Sequence, residues 1–172
     1  MEDLGQGSDL ARLLCCGTRA EAEDALTGLG AALGGMYAAT SGHEGRYAAI
    51  RERLGPGDAG VRHEEAADLR GAAQAVAAAC QALDIAPGDA WRTDLEAVAA
   101  AMDEPGPFLT YTTGDPCLDN ALLDADGRVR LHDLEFGAFR HALRDGVYGR
   151  MRFPTCWCVR AETPRRCAAR PG

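Results

Sequence analysis

Lysine is absent: all 18 basic residues among the 172 are arginine. With abundant alanine and 21 glycines, the absence matches a GC-rich coding bias. It still removes whole mechanisms, because no Schiff-base lysine, Walker-type lysine or lysine general base can exist in this chain. Asparagine is almost as scarce, with Asn120 the single copy. No apolar run approaches the roughly 18 residues of a membrane-spanning helix. The start, Met1-Glu2-Asp3-Leu4, lacks the basic and apolar regions of a signal peptide. A cytoplasmic protein without membrane attachment is the expectation.

A basic excess is also missing. The 26 acidic residues outnumber the basic ones and give a net charge of −8, which argues against a nucleic-acid partner. The charge is uneven: residues 1–136 carry a net −14 and residues 137–172 a net +6. The end of the chain, 159–172, has too little apolar content to fold alone and reads as a basic tail. The remainder, 1–158, has the length of one ordinary domain. With 47% hydrophobic and 26% charged residues overall, a packed core is expected.

The seven cysteines, at 15, 16, 80, 117, 156, 158 and 167, form no CxxC pair. An odd count in a cytosolic context predicts free thiols rather than a disulfide framework. Cys156-Trp157-Cys158 is only a CxC, and a zinc site would need two further ligands. The stretch Phe153–Cys158 reads as a core-covering segment or the edge of an acceptor pocket.

The first half reads as helical. Thr18-Arg19-Ala20-Glu21 fits a capping box, and Leu26, Leu29, Leu33, Met36 and Tyr37 follow at helical spacing until Gly42. A shorter helix is predicted from Tyr47 to Leu54, before Gly55-Pro56-Gly57. From His63 to Leu83 the residues Leu69, Ala73, Val76, Cys80 and Leu83 repeat the spacing. Asp89 can cap a helix through Trp91, Leu95, Val98 and Met102, which Pro105-Gly106-Pro107 ends. The character changes at Phe108. Phe108–Thr112, Ala121–Leu123 and Val129–Leu131 read as short strands, and Asp124-Ala125-Asp126-Gly127 as the hairpin turn between the last two. A helix is expected after Phe139, through Leu143 and Tyr148. The fold class is therefore mostly α with a small β-hairpin element between residues 108 and 132.

The chemistry concentrates in Gly114-Asp115-Pro116-Cys117-Leu118-Asp119-Asn120 and, across the hairpin, Leu131-His132-Asp133-Leu134-Glu135. A hairpin returns its end to its start, so Asn120 and Asp133 should lie side by side, with Asp115 nearby. An acid, an amide oxygen and a second acid suit magnesium-assisted phosphoryl transfer, since a hard cation wants oxygen ligands. Asn120 and Asp133 could supply them, while Asp115 could orient an acceptor hydroxyl and take its proton. Turn and cap chemistry is the ordinary use of Asp and Asn. Asp is abundant, with 15 copies, but the single Asn falls inside this segment. Asp119 and Asp124 read as solvated loop and turn acids. Glu135 is either a second metal or orienting acid or a plain loop acid. His132 reads as a packed or surface strand residue, His43 and His63 as loop or helix-start residues, and Cys117 as a packing residue.

The run Asp115-x4-Asn120-x-Leu-Leu-Asp-x-x-Gly-x-Val-Arg-Leu-x-Asp133 resembles the catalytic and metal-binding segments of the protein-kinase-like fold. Gly114-Asp115 and Asp133-Leu134-Glu135 are most similar to the aminoglycoside phosphotransferase and choline kinase branch. Leu33-Gly34-Gly35-Met36-Tyr37-Ala38-Ala39-Thr40 resembles that branch's first large-lobe helix. The resemblance covers most of residues 10–158. It implies the C-terminal lobe of a kinase-like fold, with Asp115 as the catalytic aspartate and Asn120 and Asp133 as magnesium and nucleotide ligands. It also implies that Asp145 helps to hold the lobe together.

The chain departs from the family at several points. Thr113 and Tyr37 stand where the family usually has histidines. The small β lobe, with its phosphate-covering loop and its lysine, has no counterpart here, so the chain reads as an N-terminally truncated large lobe. The implied activity is transfer of a γ-phosphoryl group from ATP or GTP, with Mg2+, to a hydroxyl of a small molecule. The acidic balance of residues 1–136 suits a cationic acceptor such as an aminoglycoside or amino alcohol. The alternative is a catalytically inactive remnant that serves as a helical interaction module. A cysteine-based metal or redox protein is a third class, which the cysteine spacing does not support. Apolar surface left by a missing lobe predicts self-association.

Overall fold

A computed structural model describes residues 7–55, 61–88 and 90–148. In chain order the elements are β1 (Ser8–Asp9), α1 (Leu10–Cys16), α2 (Arg19–Thr40), α3 (Glu44–Leu54), α4 (Val61–Ala82), α5 (Ala90–Asp103), β2 (Leu109–Thr112), β3 (Ala121–Leu123), β4 (Val129–Leu131), β5 (Ala138–His141) and α6 (Leu143–Gly146). The chain is mostly helical, with two small sheets. It divides into two compact units. Of the described residues, one comprises 7–39, 112–137 and 142–148; the other comprises those within 40–111 and 138–141.

The first unit is built on a three-stranded antiparallel sheet in the order β1-β3-β4. Ser8 pairs with Leu123 and Ala121 with Leu131. Leu10, Leu29, Leu33 and Leu118 are buried together with Ala11, Ala25 and Ala121. Each buried leucine contributes about 1.5–3 kcal/mol of apolar burial. Helix α2 starts as its sequence dictates. The Thr18 amide donates to the Glu21 carboxylate at 2.6 Å, and the Glu21 amide donates back to the Thr18 hydroxyl at 3.3 Å. The Thr18 amide foremost, and then the Thr18 hydroxyl, which donates to the same carboxylate at 2.9 Å, hold the Glu21 carboxyl below its usual range. The buried stripe is Ala25, Leu29 and Leu33, whereas Leu26, expected on it, is exposed. Gly28 has a packing reason: a Cβ there would approach Val129 Cγ2 to 2.8 Å, so its absence lets α2 lie close on β4.

The second unit packs α3, α4 and α5 with the two-stranded sheet β2-β5. Tyr47, Tyr111 and Phe139 form an aromatic cluster, with the Tyr47 and Phe139 rings 5.3 Å apart. Buried Arg140 pairs with Glu65 at 3.0 Å. Helices α4 and α5 are tied by Arg70, which bonds both Glu96 and Asp103 at 2.8 Å. Helix α4 ends in a Schellman arrangement, in which Asp84 takes φ 53° and the Ile85 amide donates to the Cys80 carbonyl at 2.8 Å.

Several expectations are corrected. Helices α3 and α4 begin at Glu44 and Val61, earlier than Tyr47 and His63. Val76 on α4 and Leu83 just past its end are exposed despite their helical spacing. The segment after Phe139 is first a strand, Ala138–His141, and the helix beyond it covers only Leu143–Gly146. Pairing with β2 overrides the local helical reading there. The β structure is therefore wider than one hairpin element. Cys16 and Cys117 are each disulfide-bonded rather than free, while Cys15 and Cys80 retain their thiols. Burial, and secondarily Asp9, pushes the Cys15 thiol up. Asp89, Phe153–Cys158 and the tail 159–172 lie outside the described residues. Among the described residues no helix is long and apolar enough to cross a membrane.

Candidate functional site

Two segments of the first unit build the site: the loop 113–120 leading into β3, and the segment 132–137 leaving β4. Gly114 brings them together. Its φ is 79°, and a Cβ there would overlap the carbonyl of Phe136. Only glycine permits that backbone and that approach.

Asn120 organises the loop. Its side-chain nitrogen donates to the Asp115 carbonyl at 3.0 Å and to Asp115 Oδ2 at 3.2 Å. Both partners are acceptors, so the amide orientation is fixed and Oδ1 is on the opposite side. The Asn120 carbonyl accepts from the His132 amide at 3.0 Å, one pair beyond the β3-β4 ladder. Asp133 is the next residue. It adopts φ 55°, one of only two non-glycine residues with positive φ among those described. Such a conformation is sparsely populated outside glycine, asparagine and aspartate. The chain then turns, with the Gly137 amide donating to the Leu134 carbonyl at 2.9 Å. Asp133 is exposed, and its carboxylate makes no hydrogen bond or ion pair with the described residues.

The start of the loop is held from below by Asp145, which is 1% exposed. Its Oδ2 accepts from the Thr113 amide at 2.8 Å and the Thr113 hydroxyl at 3.0 Å. Tyr37 lies near it, and burial foremost, then the Asp145 charge, pushes its hydroxyl well above the usual tyrosine range. Arg144 donates to the Gly114 carbonyl at 2.9 Å. Two hydrogen bonds to Oδ2, and the Arg144 guanidinium 3.9 Å from Oδ1, offset a buried charge that would otherwise be costly. Thr113 and Tyr37 both reach Asp145, a convergence that sequence spacing did not reveal.

The other candidates separate from this site. Asp124 is a turn acid: it bonds Arg130 at 2.8 Å and the amides of Arg128 and Asp126, and Arg130 foremost holds its carboxyl below the usual range. Asp119 is half-buried in the loop, Glu135 is exposed and His132 is half-buried. Cys117 is buried at 6% exposure within the loop. His63 is hydrogen-bonded to Asp103 at 2.8 Å, apart from these residues. A cavity of about 640 Å³ lies apart from these residues, within the second unit, lined in part by Gln74, Cys80, Gln81, Asp84 and Arg92.

Among the described residues, no three His, Cys, Asp or Glu side chains group to hold a metal ion. A cation bound by Asn120 Oδ1 and Asp133 would therefore complete its shell with oxygens from outside the chain. Magnesium, which keeps water and phosphate oxygens in its shell, is a cation that two such oxygen donors could hold. No protein-family model matches the chain, and no curated protein sequence matches it.

Proposed function

We propose that the chain carries the large lobe of an aminoglycoside-phosphotransferase-like enzyme, which moves a γ-phosphoryl group from ATP or GTP to a hydroxyl of a small molecule. The observation that supports this reading is the double role of Asn120. Its amide nitrogen clamps Asp115, and its backbone pairs with His132, the residue before Asp133. An acid, an amide oxygen and a second acid thus belong to one edge of the sheet.

In this reading Asp115 accepts the proton of the acceptor hydroxyl, and the Asn120 amide keeps its carboxylate oriented for that step. Asn120 Oδ1 and Asp133 would hold Mg2+, which when bound offsets the negative charge on the phosphate oxygens. The exposed Asp133 carboxylate has no hydrogen bond or ion pair with the described residues that would have to break before it meets a cation. Asp145 and Arg144 keep the Thr113–Gly114 backbone in place, so Asp115 need not be ordered at the moment of reaction.

A second reading, a helical interaction module without phosphoryl transfer, is favoured by one feature: no lysine exists to hold nucleotide phosphates. Thermal unfolding with Mg2+ and ATP or GTP separates the two. Ligand at roughly a hundredfold over Kd should raise the wild-type Tm by about 5–10 °C. Asp133→Ala should lose that rise. No rise in either protein supports the interaction module.

A further inference from the structure

The loop that carries Asp115 and Asn120 also carries Cys117, and Cys117 is disulfide-bonded. We propose that this disulfide is a redox-sensitive latch on the loop. Its effect on loop order rests on the covalent tie at Cys117; its effect on nucleotide affinity rests on the phosphotransferase reading.

The loop is anchored at both ends by hydrogen bonds. Thr113 and Gly114 are held by Asp145 and Arg144, and Asn120 is held by Asp115 and by the ladder to His132. Its middle, Pro116-Cys117-Leu118, is buried, and the Cys117 carbonyl accepts from the Asn120 amide at 3.0 Å. A covalent bond at Cys117 therefore fixes the stretch between the two chemistry-bearing residues. Removing it leaves the six residues from Asp115 to Asn120 held by the buried Leu118 side chain and the hydrogen bonds of Asn120, with no covalent tie.

The chemistry is thiol–disulfide exchange with a dithiol. A thiolate of the dithiol attacks one sulfur and displaces the other as thiolate. The second dithiol sulfur then resolves the mixed disulfide. The protein pair gains two electrons and two protons and becomes two thiols, and the dithiol becomes a cyclic disulfide. Oxidation reverses the step.

Hydrogen exchange read by mass spectrometry on the full chain, before and after dithiothreitol, tests the latch. Reduction should speed exchange at least tenfold in peptides covering 115–120 and leave α4 unchanged. Cys117→Ser should exchange like the reduced wild type with or without dithiothreitol, whereas Cys80→Ala should behave like wild type in both states. Equal exchange in the two states overturns the latch, as does labelling of Cys117 by iodoacetamide before reduction. Faster exchange across the whole chain, α4 included, also overturns it, because that describes a global staple. Where Mg2+ and ATP raise the Tm, reduction should shrink the rise. A loosened loop with no nucleotide effect in either state upholds the latch and sinks the phosphotransferase reading.

Discussion

Asp145 accepts both the amide and the hydroxyl of Thr113, 32 residues away, through one oxygen at 2.8 and 3.0 Å. Both residues are buried. The contact fixes where the Asp115 loop begins. Thr113→Val removes one bond and should cost about 1–2 kcal/mol; Asp145→Ala also orphans a buried amide and should cost about 2–4 kcal/mol. Urea denaturation of the singles and the double gives the coupling. Thr113→Val should cost almost nothing once Asp145 is gone. Additive losses would show that the two side chains do not share an interaction.

Glycines 34 and 114 should respond to alanine in opposite directions. At Gly114 a Cβ would overlap Phe136 and the φ of 79° would be strained, so Gly114→Ala should destabilise by about 3 kcal/mol or more. Gly34 lies inside α2 with nothing within 4 Å of an added Cβ, so Gly34→Ala should gain about 0.5–1 kcal/mol. Denaturant midpoints of the pair check both signs. A neutral Gly114→Ala would mean that the 113–115 and 132–137 segments are not in contact.

What the sequence made legible was local. The Thr18–Glu21 capping box, the Asp124–Gly127 turn and the helical spacing through α2 to α5 each depend on residues a few positions apart. β5 was not legible, because Ala138, Phe139 and Arg140 are all buried and show no alternation. Leu143 follows at helical spacing and completed the false pattern. β1 and α1 were missed because a two-residue strand carries no period. A signal was present, however, in Asp9 as a cap before Leu10, Leu13 and Leu14. At the site, hairpin logic put Asn120 beside Asp133; the ladder pairs Asn120 with His132, one residue earlier. The Asp145 contact and the need for glycine at 114 depend on packing between distant segments. The disulfide bonding of Cys16 and Cys117 was missed because compartment and cysteine count say nothing about which sulfurs come together.

Asn120→Asp should expose the clamp on Asp115. The substitution exchanges an amide donor for a second carboxylate facing an acid, and two such groups cannot both ionise cheaply. Sharing a proton raises the pair's folded pKa. The variant's stability is therefore present below the unfolded pKa and lost as pH rises through the folded value. Relative to wild type it should lose about 1–2 kcal/mol at pH 8 and less at pH 5. Equal losses at both values, by urea denaturation, would show that the Asn120 amide does not face Asp115.

The Arg70 network gives the second unit an acid-sensitive component. Hydrogen bonds from Arg70 hold the carboxyls of Glu96 and Asp103 below their usual range, and His63 adds to the effect on Asp103. A depressed folded pKa contributes stability above the unfolded value, and that stability is lost as pH falls through the folded one. Ordinary carboxyls titrate near about 4, so the loss should occur below roughly pH 5. Arg70→Gln should lower the Tm at pH 7 and make no difference near pH 2, where both carboxyls are protonated in either protein. These side chains are partly exposed, so added salt should also shrink the gap at pH 7. A Tm difference that stays constant from pH 7 to pH 2 would assign the role of Arg70 to its aliphatic packing rather than to its charge.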